Sequence, residues 1–188
     1  LVEQYLFEKT AAQKAQIRQL FEKQFELYET LAPEIDRFVA LFPAHPRFIE
    51  EFQRVFVVER REILTQLSKE AEALLDSELD VNALDLITSD KYWKDIEADQ
   101  GLRANRDVAK VIQNVSTITA HMRSNFGPND DLQGATRLIY ALAVNRLTTD
   151  SINAQVGLTP EELKNNLLWR TPIAMPDPQF LTLAAKRL

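Results

Sequence analysis

Four consecutive ionisable residues, Glu59, Arg60, Arg61 and Glu62, are the positions whose types and spacing most invite chemistry. On a helix, four successive side chains point almost all the way round the axis, so at least one must face the apolar stripe. Counting forward from Phe56 and back from Ile63 turns Glu59 and Arg60 inward and leaves Arg61 nearer solvent. One reading is an Arg stem lying along apolar surface with its charge paired to a nearby carboxylate. The other is a guanidinium aimed into an interface or a nucleotide cleft, where its planar fork suits phosphate.

The remaining chemistry is bounded by spacing. The glycines sit at 101, 127, 134 and 157. No pair has the five-residue separation of a phosphate-cradling loop, and the dinucleotide fingerprint and the nucleophile elbow fail the same test. His45 and His121 lack the Glu three residues earlier that a helical di-metal site uses; Phe42 and Ile118 stand there instead. His45, between Ala44 and Pro46, reads as a turn residue bonded to nearby backbone. The acidic pairs Glu50–Glu51 and Glu161–Glu162 diverge by about 100 degrees along a helix and read as solvated faces. Trp93 and Trp169 read as packing residues, since no basic groove accompanies them. No catalytic residue, metal site or cofactor is therefore assigned to this chain, which is expected to be inactive by itself.

Composition narrows the class. With 188 residues, one domain or two small ones can form and bury roughly 70% of the unfolded surface. A net charge of −6 disfavours nonspecific coating of nucleic acid or anionic lipid. The absence of Cys fits a reducing compartment and the cytoplasm. The longest stretch without acidic or basic residues, Val111 to Met122, is well short of the roughly 20 apolar residues of a spanning helix, so no membrane segment is expected. The first residues, Leu-Val-Glu-Gln-Tyr, are no signal peptide and suggest a piece of a longer chain.

Few glycines and abundant helix formers predict an all-α helical bundle with a long central helix, followed by a helix-turn-helix, winged-helix-like unit. Ile17, Leu20, Phe21, Phe25, Tyr28 and Leu31 predict one amphipathic helix over Ala11 to Leu31, stopped by Pro33. Part of its stripe is expected to be exposed, as a seat for another domain. A short helix follows to Phe42. Ile49, Phe52, Phe56, Ile63, Leu67 and Leu74 predict the central helix from Pro46 to about Glu78. Thr88 or Ser89 caps a helix through Trp93 and Ile96, with Gly101 placed to end it. Val108 to Phe126 forms another, and Gly134 opens the last unit. Two regions result, a lid-like 1–79 and a helical 80–188.

In the helix-turn-helix, at about 135–168, Gly157 marks the turn, and Ile152, Val156, Leu158 and Leu163 take apolar positions. Thr159 and Pro160 begin its last helix, where Lys164 and Asn165 are the positions for DNA or partner contact. Ala154 falls one place late for the usual small residue, and Asn166 stands where an apolar one is expected. Lys164 is the lone cation there against two glutamates, so at most a weak DNA contact is expected and protein docking is favoured.

Three strings carry a resemblance: LFPAHPRFIEEFQRVFVVERREILTQLS from Leu41, ITSDKYW from Ile87 and LIYALAVNRLTTDSINAQVGLTPEEL from Leu138. They resemble the region following the P-loop core in large P-loop ATPases of bacterial phage-defence systems, including the bacteriophage-exclusion type. The resemblance implies a parent ATPase that binds ATP and Mg through an upstream P-loop domain of the same polypeptide and works with other defence-system proteins. By fold-level analogy, this region would be a helical lid and helix-turn-helix, with Arg60 or Arg61 as the lid arginine. The alternative is a helical adaptor that binds another protein and has no relation to ATP. A third reading is a stand-alone enzyme built from scattered carboxylates.

Overall fold

The structure is a computed structural model that describes residues 7–26, 28, 30–55, 62–75, 86–126, 130–149 and 157–168. Among the described residues the chain is all-helical, and its single extended pairing is an isolated parallel bridge between Ala44 and Ile87.

The first helix, α1 (Ala11–Glu22), begins at Thr10, whose hydroxyl accepts from the Gln13 N–H while the Gln13 side chain accepts from the Thr10 N–H. That reciprocal pair satisfies two N–H groups otherwise left without a partner. The helix stops at Glu22, short of the predicted Leu31. The Gln24 and Phe25 N–H groups bond three residues back, to Phe21 and Glu22, which tightens and ends the ladder. The chain then turns into α2 (Leu31–Leu41), with Pro33 in its first turn and not beyond a helix end. Doubling back lets the stripe bury itself. Phe21 and Tyr28 are fully covered, Phe25 is half-buried against the same cluster, and the Phe21 and Phe38 rings lie 5.3 Å apart. Helix α2 thus covers much of the stripe expected to seat another domain, while Leu20 and Phe25 remain partly exposed.

The predicted central helix is also divided. Helix α3 (Pro46–Arg54) ends at Val55, whose backbone is extended and whose side chain is buried, and α4 (Glu62–Leu74) follows. Val55, Val57 and Val58 are β-branched and weaken helix there, while burial of Val55 rewards the break.

Helix α5 (Ser89–Ala98) ends at Asp99, two residues before Gly101. The Asp99 carboxylate caps the one-turn α6 (Gln100–Arg103), so Gly101 lies inside that turn. Helix α7 (Arg106–Phe126) has the predicted extent, with Asn105 Oδ1 accepting from Asp107 and Val108. Helix α8 (Asp130–Arg146) starts early enough to hold Gly134, which is buried within it and opens nothing. Helix α9 (Pro160–Leu167) starts as predicted, with Thr159 and Glu162 forming a reciprocal cap. The span of the expected helix-turn-helix, about 135–168, overlaps α8 and α9, and its middle segment, 151–156, lies outside the described residues.

Helix α8 packs on both α5 and α7. The largest buried cluster draws Phe48, Phe52, Ile63 and Leu67 from before position 79, and Trp93, Val115 and Ile139 from after it. The two regions therefore share one core. A smaller cluster joins Leu138 and Ala141 of α8 to Leu163 and Leu167 of α9.

Leu168 closes α9 in a left-handed conformation (φ 40°, ψ 41°), held there by a side chain that is 1% exposed. A helix interior prefers Ala over Gly by about 1 kcal/mol. At this position the order should vanish or reverse: Leu168→Gly should unfold at no lower denaturant than Leu168→Ala. A clear advantage for Ala in urea melts would mean that the left-handed backbone costs nothing.

Candidate functional site

The polar groups that this fold gathers lie where two short segments meet. The His45 N–H donates to the Ile87 carbonyl (3.0 Å), and the Ile87 N–H donates to the Pro43 carbonyl (2.9 Å). Both segments run straight into helices, so the bridge sets the first turns of α3 and α5 side by side. Glu51 and Ser89 meet across them through a side-chain hydrogen bond.

His45 is the hub of the seam. The Arg47 N–H donates to its Nδ1 (3.0 Å), so Nδ1 carries a lone pair, and the Nε2–H donates to the Asn165 carbonyl (2.9 Å). One ring therefore caps α3 and holds α9. It is 2% exposed and lies edge-on to Phe38. Burial, with Arg47 and Arg37 nearby, lowers its pKa to about 3, outweighing the Asn165 bond that acts the other way. The ring is neutral and both nitrogens are committed.

Beside it, Asp90 is pinned from two directions. Arg137 of α8 donates from Nε to Asp90 Oδ2 (2.8 Å) and from its terminal nitrogen to Thr88 Oγ1 (3.2 Å), while the Thr88 hydroxyl donates to Asp90 Oδ1 (2.5 Å). Thr88 sits at the cap position of α5, yet its hydroxyl serves Asp90 and not a backbone N–H. Glu51, expected on a solvated face, is 6% exposed. Its position on α3 faces the core, and burial raises its carboxyl pKa, with the Ser89 bond opposing. Its neighbour Glu50 does stay at the surface, paired with Arg37 (2.5 Å) and Arg47 (2.9 Å).

Aromatic rings continue the seam. Phe52 lies 4.7 Å from Tyr92, and Trp93, fully buried as a packing residue, lies 6.2 Å from Tyr140. Family membership can be read at this point, because a family described as the DUF6079 second domain matches residues 10–185, every element of the seam included. The chain belongs to that family. Neither a curated protein nor a solved structure matches it.

In this DUF6079 second domain, Arg60 and Arg61 lie outside the described residues, and Glu62, the exposed first residue of α4, is the member of that cluster that is described. Lys164 is half-buried, with its ammonium 5.8 Å from the centre of the Tyr28 ring. Asn165 is 9% exposed, and its Nδ2 donates to Glu161. Both residues thus turn toward the body of the domain. Among the described residues, no group of His, Cys, Asp and Glu is placed to hold a metal, and no helix is long and apolar enough to cross a membrane.

The seam fastens elements together: the Asp90 carboxylate, the Arg137 guanidinium and the His45 imidazole are engaged with side chains and backbone, while Glu51 Oε2 is buried without a hydrogen-bond partner. Sequence reasoning missed Glu51, Asp90 and Arg137. Thr88-x-Asp90 before Tyr92 and Trp93 gives the ordinary signal of a helix start. Arg137, 47 positions beyond Asp90, gives none.

Proposed function

We propose that this domain is a non-catalytic helical coupling module of a large phage-defence P-loop ATPase, carrying lid and helix-turn-helix regions between the nucleotide site and a partner or DNA. The observation that supports this reading is spatial. The three strings that resemble such ATPases are neighbours in the fold: Ala44 bridges Ile87, Phe52 packs on Tyr92 and Trp93 packs on Tyr140. A likeness concentrated at mutually packed positions fits inheritance of one shared module. The family description, a second domain, agrees with a parent that holds at least one more.

In this reading ATP and Mg bind the upstream P-loop domain, and Arg60 or Arg61 reaches the phosphates. The module works in the cytoplasm with other defence-system proteins. Lys164 can release few counterions, so DNA contact through α9 is weak and strongly salt-dependent.

The test uses the full-length parent. Its reading frame should contain a Walker A motif upstream, and the purified protein should hydrolyse ATP. Arg60→Ala or Arg61→Ala should lower turnover at least tenfold, about 1.4 kcal/mol in the transition state, with folding intact. The isolated domain should show neither turnover nor micromolar ATP affinity. A parent without Walker motifs would leave the helical adaptor as the better reading. Unchanged turnover in both variants would end the lid-arginine role.

A further inference from the structure

We infer that α9 is a detachable clasp, which leaves the body of the domain as a unit before the remaining helices unfold and uncovers the apolar seat around Leu138 and Ala141. Three features of its attachment carry this.

First, α9 is complete in itself. Its Thr159–Glu162 cap and its Glu161–Asn165 side-chain bond both lie within the segment, so they survive release. Among the described residues it is held from outside by its contact with α5, the packing of Leu163 and Leu167 on α8, Leu168 in the cluster of Phe21 and Tyr28, the Lys164 ammonium over Tyr28, and the His45–Asn165 bond.

Second, docking leaves two local penalties on this one segment. Asn165 Oδ1 is buried with no hydrogen-bond partner, and Leu168 is a non-glycine residue held at positive φ. Release lets water reach the amide oxygen and lets the Leu168 backbone relax.

Third, the external bond runs through a ring that cannot take up a proton while docked. Beside His45 stand Arg47 on its own helix and Arg37 from α2; α9 carries Glu161, Glu162 and Lys164, and the adjoining seam the Asp90–Arg137 pair. A proton on Nδ1 would abolish the acceptor that caps α3 and add a cation beside Arg37 and Arg47. Once α9 leaves, Nε2 can reach water and the ring can protonate, so acid favours the released state. The clasp is independent of any nucleotide chemistry elsewhere in a parent.

Native-state hydrogen exchange on the full chain tests this. The amides of Leu163 to Leu168 should open with an equilibrium constant at least a hundredfold larger than those of α7 and α8, and with little denaturant dependence. Leu163→Ala should enlarge the α9 opening at least tenfold. Because it weakens the docked state from which every opening starts, the global opening of α7 should rise by no more than the same factor, so the gap between α9 and α7 remains. After correction for intrinsic exchange, lowering the pH from 7 to 5.5 should raise that opening by about tenfold, and His45→Gln should remove the acid dependence. If α9 shares the opening constant and denaturant slope of α7 and α8, in the unmodified chain or in Leu163→Ala, there is no clasp. Acid dependence that persists in His45→Gln would overturn the coupling through His45.

Discussion

Replacing Arg137 with Met should lower the unfolding free energy by about 3 kcal/mol, among the largest effects expected of any single change in this domain. Asp90 is 5% exposed and the Arg137 side chain 20%. Neither group can recover by turning to water. Loss of the guanidinium leaves a carboxylate in the core beside the Thr88 hydroxyl, and desolvation of a charge without a counter-ion dominates the cost. Shape contributes less, because Met fills much of the same volume. The pair is also a polar tie between α5 and α8, two helices that meet through apolar packing as well.

A double-mutant cycle separates these contributions. Asp90→Leu with Arg137→Met removes both charges and should lose less than the two single changes summed, since no buried charge remains. Urea unfolding of the four proteins gives the coupling energy. If Arg137→Met stays within about 0.5 kcal/mol of the parent chain, the pair is a surface-grade interaction.

Acidification is the second large effect. The folded ring of His45 titrates at about 3 and the unfolded one at 6.5, so between these values the unfolded chain binds the extra proton. Stability is therefore complete above pH 6.5 and falls as the pH drops, by about 1.4 kcal/mol per unit and by about 2 kcal/mol at pH 5. The fall slows once α9 leaves, because the ring then reaches water. Glu51 and Glu70 act with the opposite sign: burial raises both carboxyls, so the folded chain takes up their protons first and gains stability in acid. The His45 effect is thus read as a difference from His45→Asn, whose amide oxygen can still cap α3. Between pH 7 and 5 the parent chain should lose about 2 kcal/mol more than this variant. Equal slopes for the two would mean that the ring is hydrated in the folded state.

Much of this fold was legible in the chain. Helix type and the span of α7 followed from periodicity, and the start of α9 followed from Thr159 and Pro160, because a cap is a contact between residues three apart. The errors fell where tertiary burial outbid local pattern. Ala11 to Leu31 carries one continuous stripe, yet the chain folds back after Glu22, since doubling over buries Phe21 and Tyr28 against α2. Phe52, Phe56 and Ile63 continue a helical spacing through Val55, yet the backbone extends there and the valine is buried.

Sequence by itself determined the helical class, the Thr159 cap of α9 and the absence of a glycine-built phosphate cradle, all of which depend on residues within a few positions of one another. Only the tertiary structure decided the partners: that His45 reaches Asn165, that Asp90 meets Arg137, and that Glu51 faces inward. A side chain's charge and capping preference are local properties. Whether its charge is paired, buried or facing water depends on which distant helix arrives beside it, and that is settled by the apolar area which each packing arrangement removes from water.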